Sequence, residues 1–361
     1  MKELNSIVLI IIILCISVFY SCKVNLGVEA NSHDENSFNE RGDYRIMFYN
    51  IENLFDTFDD SLTNDEEFLP DGVRHWNNTK YYKKLNNIYK VIVAVGGWQP
   101  PEIIGLCEIE NRTVLDDLVK KTPLSTYNYQ IVHAESPDRR GIDVALLFLK
   151  DRFIVLKKEF IRINYPDNSG TTRDILYVKG ITYKSDTLHI FVNHWPSRWG
   201  GQMESEDRRL FVAKTLRNKL DSIIASNEKS NIIITGDFND EPDNKSLTET
   251  LRARKTYENI SDSILYNLSF HLYEDKGMGS HKYQGNWGVL DQFIVSGTLL
   301  KRKNSIHTTI NNVYIFKPDF LLEKDEANAG FKPFRTYLGY KYNEGFSDHL
   351  PTYLDIFKKN N

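Results

Sequence analysis

The chain predicts an α/β (α+β) fold in which β-sheets pack against each other inside helical layers. Three observations lead there. Strand-like segments are numerous, and some, such as Ile232-Ile233-Ile234, are continuous apolar runs that suit strands covered on both faces. Helical periodicity is confined to a few separated stretches. Gly and Pro are nowhere clustered enough to mark a second domain, and no internal repeat is visible.

The N-terminus reads as an export signal. Lys2 precedes an apolar stretch from Ile7 to Tyr20, shorter than the roughly 20 apolar residues a spanning helix needs. The closing Ser21-Cys22 resembles the end of a bacterial lipoprotein signal, with Cys22 as the lipidated first mature residue. Phe19 and Tyr20 depart from the usual Leu-small pattern before it. An ordinary cleaved signal and an uncleaved anchor are the alternatives, and in each the body is exported. The expected organisation is a signal peptide over residues 1–22, a polar aperiodic tether over 23–42, and one domain over 43–358. The expected location is the membrane, through a lipid anchor, or otherwise the periplasm or exterior. Of the three cysteines only Cys107 belongs to the body, so no disulfide framework is expected.

From Tyr44 the pattern is strand-like as far as Asn50. Tyr81, Leu85, Ile88 and Ile92 recur at helical spacing and predict a helix over Lys80 to Ala94. Strands follow at Ile103–Leu106, Tyr129–His133, Val144–Leu149, Phe153–Ile163, Ile175–Tyr183 and Leu188–Val192, with a short helix over Arg112 to Lys121. Leu210, Ala213, Leu216, Leu220 and Ile223 predict a helix over Ser205 to Ile224. Further strands are expected at Asn231–Thr235, Gln292–Val295 and Thr352–Ile356. The aromatic, polar segment from Lys317 to Gly345 reads as a long loop that shapes a site.

The chemistry lies at the ends of these strands. Gly236-Asp237-Phe238-Asn239-Asp240 follows a buried strand. Asp237 can orient or deprotonate a water, and Asn239 can donate to a phosphoryl oxygen. Alone, the same residues make an ordinary turn. Glu108 closes the run Ile103 to Cys107 as a metal-ligand candidate, and Asn50 and Glu52, two apart, share a face of extended chain. His194 ends Ile190-Phe191-Val192. His349 follows Asp348, but adjacent strand side chains point apart, so the carboxylate orienting His349 should come from elsewhere, with Asp291 the candidate. Carboxylates, amides and two histidines are the kit for metal-assisted attack on a phosphate ester, with Mg²⁺ or Mn²⁺ held by oxygen ligands.

In this order the motifs resemble the endonuclease/exonuclease/phosphatase superfamily, from about Tyr44 to Phe357. The resemblance implies a four-layer sandwich, two face-to-face β-sheets flanked by helices, with the site at one edge. It further implies that Asn50 and Glu52 serve metal and phosphate and that Glu108 is the main metal ligand. His194, Asp237 and Asn239 would bind phosphate and orient water. Asp291 and His349 would form a pair, and Asp348 a further metal ligand or water-holder. Two departures stand out. Cys107 occupies the place where many members have Gln. No Tyr lies in Arg139-Arg140-Gly141-Ile142-Asp143-Val144, where abasic-site nucleases place one.

Arg139, Arg140 and Arg198 are candidates for substrate phosphate. Trp195 and Trp199 can stack on bases or sugars, or pack beneath their loop. The expected activity is hydrolysis of phosphodiesters, first as an endo- or exonuclease. A phosphatase or phospholipid phosphodiesterase of inositol phosphate or sphingomyelinase type is the second reading. A catalytically dead, surface-anchored binding protein is the third. Net charge is −4, so contacts to nucleic acid must be local. A monomer is expected.

Overall fold

The computed structural model describes residues 41–359 except 98, 168–169, 184, 199 and 276. The proposed leader with Cys22, the proposed tether as far as residue 40, and the candidate Trp199 lie outside the described residues; Arg41, expected in the tether, is instead bound to the domain through Glu102 at 2.9 Å. Among those described, no helix is long and apolar enough to cross a membrane.

Two seven-stranded sheets form the centre. The first is built from β1 (Tyr44–Leu54), β2 (Ile103–Ile109), β3 (Tyr129–Val132) and β4 (Asp143–Leu149) with the C-terminal strand Thr352–Lys358. Its order runs Ile306–His307, Thr352–Lys358, β1, β2, β4, β3, and Val313–Ile315 also pairs with the C-terminal strand. The second contains β5 (Phe153–Ile161), β6 (Ile175–Thr182), β7 (Thr187–His194) and β8 (Ile232–Asp237), followed by Asp291–Ser296, Leu265–Asn267 and Ala253–Arg254. Most neighbours are antiparallel. The exceptions are β1 with β2, β7 with β8, and the short Ala253–Leu265 pairing.

Side-chain alternation creates the layers. Ile190 and Val192 of β7, Ile233 of β8, and Phe293 and Val295 join residues of the first sheet in one core. Their neighbours Phe191, Ile232, Ile234 and Ile294 point the other way, to a second core under helix α3 (Gln202–Ser226). Helices α1 (Asn78–Gly96) and α2 (Arg112–Lys121) bury Leu85, Ile88, Ile92, Leu115 and Leu118 against the first sheet. The result is helix, sheet, sheet, helix, as the resemblance implies. At Gly105 the sheets approach so closely that a Cβ would lie 3.2 Å from Phe48 and from Val192.

The helices start where side chains cap them. Asn77 accepts from the Lys80 amide, and Asn111 from the Val114 amide. Both central strands of the first sheet run beyond their apolar segments, β1 to Leu54 and β2 to Ile109. The segment from Lys317 to Gly345 is not one loop. It folds into two small hairpins, Leu322–Lys324 with Phe331–Pro333 and Tyr337–Leu338 with Lys341–Tyr342.

Candidate functional site

The parallel pairs β1–β2 and β7–β8 bring their C-terminal ends to one edge of the sandwich. Across the second sheet, His194, Asp237 and Asp291 stand in register on three adjacent strands. In the first sheet the β1–β2 ladder is regular to Asn50 opposite Cys107, then breaks, and β2 breaks against β4 between Cys107 and Ile109. The bulges turn Glu52 and Glu108 out of the ladder into left-handed backbone, φ +53° and +63°. Asn239 is left-handed too, at +50°. Such conformations cost non-glycine residues energy and gather where function needs a particular direction of side chain.

Asn50 ties the sheets together. Its Nδ2 donates to Asp237 Oδ2 (3.1 Å) and Glu108 Oε1 (3.3 Å), while its Oδ1 accepts from the Glu52 amide (3.0 Å). Glu108 also accepts from the Asn53 amide at 2.9 Å. Asp237 accepts from the Asn239 amide at 2.9 Å. Burial, reinforced by the charge of Asp291, pushes its carboxyl up to about 7 although His349 opposes the shift. His349 Nδ1 shares a 2.7 Å hydrogen bond with Asp291 Oδ2, and its Nε2 stands 3.8 Å from Asp237. Burial works against its charge, but Asp291 and Asp237 outweigh it and hold the imidazole well above its ordinary value. His194 points Nε2 at Asp237 (3.7 Å) and Glu108 (3.8 Å). Burial, with Arg173 and Arg140 behind it, keeps His194 neutral well below the usual histidine range.

Glu52 and Asp348 meet a cation of the chain itself. Arg335 reaches Glu52 Oε1 through Nε (2.9 Å) and Nη2 (2.8 Å), and Asp348 Oδ2 through Nη2 (3.0 Å). Burial opposes ionisation of Asp348, yet Arg335, His349 and His281 hold its carboxyl down at about 2. Lys84 is fully buried nearby and is drawn down to about 8 by burial, against the pull of Glu52, Asp348 and Glu108.

The site holds more carboxylates (Glu52, Glu108, Asp237, Asp291, Asp348) than basic groups charged to balance them (Lys84, Arg335, His349). Burial has left Asp291 Oδ1 with no hydrogen-bond partner. Hard oxygen donors and surplus negative charge fit a small divalent cation.

Several expected contacts are corrected. Trp195 is not a stacking platform: it is fully buried, edge-on to Phe238 at 4.8 Å, with its indole N–H on Asn193 Oδ1. Arg198 is committed to the Asp237–Asn239 loop, donating to the Asn239 carbonyl (2.7 Å) and to Asn244 Oδ1 (3.1 Å). The Asn239 amide itself donates to the Trp195 carbonyl at 3.0 Å. Arg139 and Arg140 are exposed, and the charge of Arg140 acts on His194. Cys107 is a buried free thiol.

Four participants escaped the sequence. Arg335 and Lys84 lie outside any motif. Arg173 donates to the Trp195 carbonyl at 2.6 Å. His281 packs its ring 4.7 Å from that of His349.

The architecture is similar to that of known structures. The catalytic domain of human Nocturnin with bound sulfate aligns over 87% of this chain and 94% of its own, at TM-score 0.52 and 19% identity. Truncated TDP2 of Caenorhabditis elegans aligns over 87% and 97%, at 0.51 and 17%. The Bacteroides thetaiotaomicron mannosyl-6-phosphatase aligns over 87% and 99%, at 0.51 and 14%. Identities this low carry the fold alone. No curated protein matches the chain in sequence. The family model described as Endonuclease/Exonuclease/phosphatase family matches residues 45–358, and the chain belongs to that family of phosphoester hydrolases.

Proposed function

We propose that the protein is a Mg²⁺- or Mn²⁺-dependent phosphoesterase, with nucleic-acid phosphodiesters as the first substrate class. One observation carries the reading: Asn50, Glu108, His194, Asp237 and the Asp291–His349 pair converge at the seam of the two sheets. Glu108 would hold the cation, which when bound neutralises charge on the phosphoryl oxygens; Asn50, expected as a ligand, instead turns its NH2 to Glu108 and Asp237 and its oxygen to the Glu52 amide, and so orients the carboxylates. Asp237 takes the proton of the attacking water through the oxygen turned toward His349. Asp291 fixes the His349 ring so that Nε2 presents a proton to a phosphoryl oxygen. His194, with Nε2 aimed at Asp237, would hold another oxygen, and Asn239, whose side-chain amide also bonds the Trp195 carbonyl, would offer its second N–H to a third. Each contact accelerates the reaction to the extent that it tightens in the transition state.

The test is hydrolysis of bis(4-nitrophenyl) phosphate, DNA and RNA with Mg²⁺ and with chelator. Turnover should vanish in chelator and return with Mg²⁺ or Mn²⁺, and Glu108→Gln should lower both Mn²⁺ affinity and rate. Full activity in chelator would sink the reading. A phosphatase acting on a small phosphate ester is the second reading. It is favoured by the burial of Trp195 and the engagement of Arg198, which leave Arg139 and Arg140 as the exposed candidates for nucleic acid among the described residues. One neighbour in fold is a mannosyl-6-phosphatase, and another, D. rerio TDP2, was solved with a single-strand DNA product.

A further inference from the structure

The position of Arg335 bears on how many cations the centre takes. A single nitrogen, Nη2, lies 2.8 Å from Glu52 Oε1 and 3.0 Å from Asp348 Oδ2, so the guanidinium bridges two carboxylates that sequence reasoning assigns to a metal. The second oxygen of Glu52 is also taken, by the Thr336 amide at 2.8 Å. The Arg335 side chain keeps 38% of its surface in solvent, but the backbone that carries it is held from behind. Lys84 of α1 donates to Thr336 Oγ1 and to the Phe346 carbonyl, both at 2.5 Å. Asn87, one turn on, donates to the Gly345 carbonyl at 2.8 Å. Helix α1 therefore fixes the backbone on both sides of the small hairpin that follows Arg335. A guanidinium held this way supplies permanent positive charge in planar, two-pronged geometry, without the exchange a metal ion undergoes.

We propose that Arg335 is a fixed cation standing between Glu52 and Asp348 and that the centre consequently takes one divalent ion, at Glu108. The inference rests on the metal dependence argued above. Arg335 is a positioning residue: it acts on the reaction through the two carboxylates it holds.

Manganese alone is the probe, titrated into the full chain and followed by the electron paramagnetic resonance of free Mn²⁺. Wild type should bind one ion per chain. Arg335→Met should bind two, because Glu52 and Asp348 lose their internal partner. Arg335→Lys, which keeps a charge, should return to one. Two ions in wild type would overturn the assignment while leaving a metal-dependent enzyme, as would a single ion in a folded Arg335→Met. No binding to wild type would defeat the metal reading itself, and the assignment with it. Should Arg335→Met not fold, anomalous scattering from Mn²⁺-soaked wild-type crystals decides. A peak beside Glu108 alone supports the assignment, and a peak between Glu52 and Asp348 refutes it.

Discussion

Gly236 shows how little freedom the residues around the site have. A Cβ there would stand 2.3 Å from the Asn193 carbonyl oxygen, where β7 and β8 pair just before Asp237. Gly236→Ala should therefore cost about 1–3 kcal/mol in urea unfolding, as overpacking does, and lower activity by shifting Asp237. At Asp291 the expected loss is of rate, not of fold. Asp291→Asn removes the carboxylate that fixes His349, so kcat should fall by roughly 10²-fold or more with unchanged circular dichroism. A variant that unfolds instead would make the pair structural. Strand parity in the sequence indicated that Asp348 does not orient His349, and the structure pairs His349 with Asp291. Parity says nothing of Trp195 or Arg335. A tryptophan beside a histidine looks alike whether it faces solvent or Phe238, and Glu52, which Arg335 meets, lies 283 residues away from it.

Among the elements, α3 and the β6–β7 pair carry separable roles. Arg209 of α3 is fully buried and meets Asp240 at 2.7 Å, just past Asn239. Arg209→Met leaves Asp240 buried without its closest cation. It should destabilise the fold by about 3–5 kcal/mol, measured by urea unfolding, and loosen the Asp237–Asn239 loop. The pattern of Leu210, Ala213, Leu216 and Leu220 made this helix legible, but periodicity does not reveal that one of its arginines serves the site. On β7, His189 accepts or donates a 2.9 Å bond with Tyr177 OH, and burial lowers its pKa from 6.5 to about 4. Between those values the unfolded chain binds a proton that the folded chain refuses. This contribution to stability is complete above pH 6.5 and is lost as the pH falls toward 4. His189→Gln should flatten that part of a Tm-against-pH profile. An unaltered slope would show that other groups set it.

For the whole molecule, the long central strands and three main helices were readable because each presents a regular apolar period. The short strands Ala253–Arg254, Leu265–Asn267, Ile306–His307 and Val313–Ile315 were not, since two or three residues hold no period and exist only through their neighbours. Export belongs to this scale. If Cys22 is lipidated, Cys22→Ser should move the protein from the detergent phase to the soluble fraction. A mature protein starting at any other residue would defeat that proposal. The first sheet has a feature with consequences in time. Its opening strand is flanked by the last strand of the chain, and Arg45 bonds Asp355, 310 positions later. During synthesis β1 waits with one edge unpaired until Thr352–Lys358 has been made, and Ser347 and His349 come just ahead of it. The reactive centre cannot be assembled before Ser347, His349 and the strand behind them have been made, so a phosphoesterase of this build stays inert while the residues ahead of them are being synthesised.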